Sequence, residues 1–178
     1  FSYITGLTKF GIEKIPPLVG RGVLVNMAKY FDTISMEGGQ GITRKNIQEA
    51  AKEQNINFKK GDIILFHTGW TDAKLKSSPE EWGSTIPGIT NDAAVYLASL
   101  QPMAVGADTW GLGAVPPIAG DMVYYDHVTL IKENGIYILE TMNTGKLAND
   151  NVSEFMFVLG QPKIKGAVQM IINPVALW

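Results

Sequence analysis

The sequence predicts an α/β fold, a mixed or largely parallel sheet with flanking helices, and three observations carry that prediction. The short apolar runs at 23–25, 63–66 and 103–107 are continuous rather than alternating, as in strands covered on both faces. Helical patterns separate them, with Gly and Pro marking the joins. No internal repeat, charge block or low-complexity linker interrupts the 178 residues. A single domain over 1–178 is therefore expected, a size that buries about 70% of the unfolded surface.

The first strand, 23–25, follows Gly20-Arg21-Gly22. Thr43 then stands as an N-cap, because its hydroxyl can accept an orphan backbone N–H, and Ile47, Ala50 and Ala51 follow at helical spacing, predicting a helix over 44–54. Lys59-Lys60-Gly61-Asp62 turns into the strand 63–66, which runs out at His67-Thr68-Gly69-Trp70. Residues 71–86 are polar and read as a long irregular connection. Thr90 caps a second helix whose apolar stripe is Ala93, Ala94, Leu97 and Leu100. The strand 103–107 ends at Asp108-Thr109-Trp110, and the loop through Gly111, Gly113, Pro116, Pro117 and Gly120 is too rich in glycine for a helix. Residues 127–132 read as helical and Asn134-Gly135 as a left-handed stop before the strand 136–139 and Glu140. Two more strands are expected at 155–159 and 174–177.

Composition narrows the function. Charged residues make up 18% of the chain against the roughly 25% of an average soluble domain, while 46% is hydrophobic, which implies much buried surface or partner contact. The net charge of −2 comes without any basic stripe and excludes nucleic acid as a partner. Zero cysteines exclude disulfides, thiol nucleophiles and Cys-type zinc sites. No apolar run reaches the roughly 20 residues of a membrane span. A cytoplasmic homo-oligomer acting on a small-molecule substrate is the expectation. The sequence begins at Phe1 rather than Met, which reads as an N-terminally incomplete domain.

In open α/β sheets ligands bind beyond the carboxyl ends of strands, and three predicted strands end in His67-Thr68-Gly69-Trp70, Asp108-Thr109-Trp110 and Glu140. His127 and Glu140 are the most informative pair: a helix of eight residues advances about 12 Å and a strand of five returns about 16 Å, so the side chains can meet. An imidazole beside a carboxylate suits a divalent zinc or manganese ion, or a general-base pair; it equally suits a surface histidine hydrogen-bonded to its neighbour. His67, ending an apolar strand, reads as a structural histidine. Asp108 either fixes a ligand imidazole from behind or simply starts a loop. Trp70 and Trp110 either wall an aromatic or lactone-sized ligand or belong to core and interface. No Gly-x-Ser-x-Gly elbow, phosphate loop or dinucleotide fingerprint is present.

Several blocks in order make the chain resemble the cyclase family of metal-dependent hydrolases, which includes kynurenine formamidase, isatin hydrolase and trans-dienelactone hydrolase. They are Glu13-Lys14-Ile15-Pro16-Pro17, Arg21-Gly22-Val23-Leu24, Gly61-Asp62, His67-Thr68-Gly69-Trp70, Pro87-Gly88-Ile89, Val105 through Trp110, and His127 through Gly135-Ile136 to Glu140. The resemblance implies a swivelling β/β/α fold and a metal site that activates water to open an amide or lactone bond. By matching position it implies that His127 and Glu140 are metal ligands, with Asp108 behind them and Trp70 and Trp110 bordering the substrate; no catalytic residue is assigned. The family's His-x-Gly-Thr-His-x-Asp motif is absent from the sequence. Asn26 stands where relatives usually carry Asp, and Gly113 where an acidic residue is common. The alternative expectation is a non-catalytic relative that keeps the scaffold for binding or assembly.

Overall fold

A computed structural model describes Gly6, Thr8 and residues 11–178. After a 3-10 turn at Ile12–Lys14 come β1 (Leu18–Asn26), α1 (Met27–Tyr30), β2 (Gly41–Ile42), α2 (Arg44–Glu53), β3 (Ile63–His67), α3 (Trp70–Lys74) and α4 (Pro79–Ser84). They are followed by β4 (Gly88–Ile89), α5 (Asn91–Ser99), β5 (Ala104–Ala107), α6 (Tyr125–His127), β6 (Tyr137–Leu139), α7 (Gly145–Asn149), β7 (Glu154–Leu159) and β8 (Val175–Leu177).

Six strands form one sheet in the order β6-β5-β3-β1-β7-β8. The first four are mutually parallel, whereas β7 runs antiparallel to β1 and β8 antiparallel to β7. The fold is thus the mixed α/β sheet with flanking helices that the apolar runs predicted. Successive strand residues feed two cores. Val23, Val25, Ile64, Phe66 and Val105 pack beneath Ile47 and Ala50 of α2 and Ala93 and Leu97 of α5. Leu24, Ile63, Leu65 and Ala104 face Leu147 of α7 together with Phe155, Phe157 and Leu159. With both faces covered, alternation disappears, and each such side chain contributes about 1.5–3 kcal/mol of burial.

The cap at Thr43 forms as expected: its hydroxyl accepts the Asn46 N–H at 3.2 Å, and Asn46 Oδ1 accepts the Thr43 N–H at 2.9 Å. Thr90 does not cap α5 through its side chain; its hydroxyl bonds instead to the Ile42 carbonyl and to Asp92, tying β4 to β2. β1 reaches back to Leu18 through the glycines placed before it, because Leu18 to Val23 pair antiparallel with β7; the Phe155 ring lies directly on Gly22, where a Cβ would collide with it. The supposedly irregular segment 71–86 holds most of α3 and all of α4, the latter opened by Pro79 with Glu80 and Glu81 in its first turn. The helix at 127–132 is not a plain α-helix either: α6 ends at His127 and Val128–Glu133 continues as a π-helix, a geometry often found at functional sites. Gly135, at φ +65°, stops it as the Asn-Gly pair predicted.

Candidate functional site

The parallel strands deliver two histidine–carboxylate clusters to one edge of the sheet. In the first, Phe66 of β3 pairs with Ala107 of β5, so the next residues, His67 and Asp108, become neighbours. Asp108 is buried and one of its oxygens, Oδ1, accepts both the Thr68 N–H and the Thr68 hydroxyl at 2.8 Å. Its Oδ2 has no hydrogen bond and lies 3.9 Å from His67 Nδ1, which is bonded at 2.8 Å to the Thr144 hydroxyl. Burial pushes the Asp108 carboxyl above its ordinary pKa, against the pull of His67 and of the Thr68 donors.

The second cluster stands at the end of β6. His127 Nε2 lies 3.5 Å from Glu140 Oε1, and both side chains are about one-third exposed. On the other side of the ring, His127 Nδ1 is 3.2 Å from Oδ2 of Asp126, which is only 4% exposed. Asp126 first and Glu140 second push the His127 pKa up to about 10, over the opposing cost of burial. A pocket beside the ring is walled by the Gly/Pro loop and its continuation, including Leu112, Gly113, Ile118, Met122 and Tyr124.

The structure therefore brings His127 and Glu140 together, as the spacing argument requires. It does not place Asp108 behind them: that carboxylate faces His67, and the carboxylate beside His127 is Asp126, which sequence reasoning missed. The tryptophans also differ from expectation. Trp70 is 1% exposed, so it offers no face to a ligand, and both Trp70 and Trp110 turn their indole N–H to the Trp82 carbonyl, at 3.5 and 2.6 Å. They bind α3, α4 and the loop after β5 to one another, and the pocket wall comes from residues 111–124 instead.

The donor chemistry can be compared with a divalent ion. Two ligands held 2.0–2.1 Å from a tetrahedral zinc stand about 3.4 Å apart, close to the 3.5 Å between His127 Nε2 and Glu140 Oε1. An imidazole and a carboxylate fit such an ion in type and spacing. Among the described residues no group of three or more His, Asp or Glu is arranged to hold a metal, so the described residues furnish two donors.

Comparison with known proteins gives the setting of this pair. Residues 2–114 match the family described as "Putative cyclase". The chain superposes on the crystal structure of a novel cyclase with a TM-score of 0.87 at 28% identity, covering 100% of this chain and 60% of that one. This chain thus spans about 60% of that protein's length. A potential metal-dependent hydrolase with cyclase activity shares the fold at a TM-score of 0.67 and 21% identity, over 93% of this chain and 69% of that chain. Isatin hydrolase A from Labrenzia aggregata does so at 0.71 and 18%, over 98% and 69%. No curated protein matches the sequence.

Proposed function

Because the chain belongs to the cyclase family, we propose that it serves a metal-dependent hydrolase which opens an amide or lactone bond of a small substrate by activated water. The observation that carries this reading is the approach of His127 Nε2 to Glu140 Oε1 at 3.5 Å, on the carboxyl edge of the sheet and beside a pocket. His127 and Glu140 would hold a zinc or manganese ion. The chemistry such an ion supplies when bound is to lower the pKa of water toward about 7 and to polarise a carbonyl. The chain's own part is to present the two donors beside a pocket whose wall includes Leu112, Ile118 and Met122. Homo-oligomerisation belongs to the same proposal; it is supported by an apolar stretch at the β1-β7-β8 end of the sheet, where Val19, Met156, Val175 and Leu177 are each about half exposed.

A second reading, a scaffold without metal, draws on the finding that only two donors meet among the described residues. Metal content by plasma mass spectrometry separates the two. Near-stoichiometric zinc or manganese in the purified protein, lost in His127→Ala and reduced in Glu140→Gln, supports the hydrolase. A protein that takes up neither metal at neutral pH overturns the hydrolase for this chain and leaves the scaffold.

A further inference from the structure

Asp126 is a buried carboxylate against the His127 ring that is not itself one of the two proposed ligands. We propose that Asp126 is a positioning residue, which holds the His127 ring through Nδ1 so that Nε2 is turned toward Glu140. The inference rests on the reading of His127 as a ligand and adds to it the group that aims the ring.

Four features support the assignment. Asp126 Oδ2 and His127 Nδ1 are both shielded from solvent, and neither has a hydrogen bond elsewhere. They stand 3.2 Å apart, within hydrogen-bonding distance though off the line of a well-formed bond. Glycine at 113 leaves the carboxylate its place: a Cβ there would press on Asp126 Oδ1 at 3.2 Å. The Tyr124 ring meets the His127 ring edge-on, with centroids 5.6 Å apart, and limits its rotation from a third side. A carboxylate oxygen beside Nδ1 accepts and so keeps a hydrogen on that nitrogen, which turns Nε2 toward Glu140; Nε2 carries a hydrogen when it faces the Glu140 carboxylate alone and would give it up to hold an ion.

The test uses Asp126→Ala, Asp126→Asn and Gly113→Ala in the 178-residue chain, with two readouts. The first is the ring proton on His127 Nδ1 in nitrogen-correlated NMR without metal. Wild type should show a downfield, slowly exchanging resonance, absent in Asp126→Ala and retained in Asp126→Asn, which keeps an acceptor oxygen. The second is affinity for Zn2+ alone, by competition with a chelating dye. Asp126→Ala should bind about 10–100-fold more weakly and Asp126→Asn should recover most of the loss. If Asp126→Ala does not fold, Gly113→Ala should weaken both signals by crowding the carboxylate. The inference is overturned if the resonance survives in Asp126→Ala, or if Asp126→Ala binds Zn2+ like wild type while His127→Ala does not bind. If wild type takes up no Zn2+, the ligand reading fails and the resonance alone decides whether Asp126 holds the ring.

Discussion

At the amino end of β3 the Arg21 guanidinium donates to both oxygens of Asp62 at 3.1 and 2.9 Å, to both oxygens of Glu154 at 3.0 and 2.6 Å, and to the Asn57 carbonyl. At the opposite edge, Asp108 Oδ2, Asp126 Oδ2 and His127 Nδ1 are buried without a hydrogen bond. Both regions gather charge around parallel strands, yet only the first satisfies it. Buried polar groups are normally paired because leaving them bare costs about 1–3 kcal/mol each. The Arg21 network, whose charges are all partnered, belongs to what holds the fold, whereas the bare His127, Asp126 and Asp108 atoms gather where the proposed site lies.

The largest expected effect breaks the satisfied edge. In Arg21→Ala the Asp62 carboxylate, 3% exposed, loses its cation. Removing one partner of a buried pair costs about 3–5 kcal/mol, and the 21% exposure of Arg21 places the loss near the lower limit, about 3 kcal/mol. Urea denaturation should show that loss with metal uptake unchanged. A loss below about 1 kcal/mol would place the whole network in the class of surface ion pairs and remove the contrast.

Asp108→Ala should cost less, about 2 kcal/mol. It strips the Thr68 N–H and hydroxyl of their acceptor in a dry site, but it also releases a carboxylate whose raised pKa shows that its charge is held at a cost. The same denaturation experiment ranks the two variants. A loss as large as that of Arg21→Ala would mean that the carboxyl edge holds the fold as firmly as the amino edge.

This contrast was only partly legible in the sequence. The run 63–66 announces a strand covered on both sides, and the Thr43 cap announces α2, because both depend on neighbours close in the chain. The segment 71–86 does not announce α3 and α4, which are short and polar and are fixed by distant contacts such as the Trp110 indole on the Trp82 carbonyl. The His127–Glu140 meeting was anticipated from the spacing of a helix and a returning strand, although the helix is a π-helix and the strand has three residues. The sequence left the partner of Asp108 open; aligning the ends of 63–66 and 103–107 as adjacent parallel strands sets it beside His67. Asp126 was missed for a geometric reason: neighbours on a helix point about 100° apart and do not face each other. Here they meet where a left-handed Tyr124, at φ 58°, leads into a three-residue α6 that widens at once into a π-helix.

Glu140→Gln sharpens the comparison from the open edge. Its carboxylate is 30% exposed and pairs with a histidine that is 35% exposed, so neutralising it should change stability by less than about 1 kcal/mol while metal uptake falls. A large loss of stability would make this pair structural and would move the functional edge elsewhere.

The smallest effect lies within the satisfied edge. Arg21 holds the Glu154 carboxyl below its ordinary pKa, so the folded value lies under the unfolded one near 4.3. Its contribution is therefore complete above about pH 4.3 and lost as the pH falls through the folded value. Glu154 is 51% exposed, and solvent screening limits that contribution to about 0.5 kcal/mol. Glu154→Gln should lower the urea midpoint slightly at neutral pH and leave it unchanged on the acid limb, where wild type has already lost the charge. Set beside the loss of about 3 kcal/mol in Arg21→Ala, so small a change would assign the strength of the amino edge to the buried Asp62 arm. If Glu154→Gln instead cost as much as Arg21→Ala, the exposed arm would carry the network, and burial would not be what distinguishes the two edges.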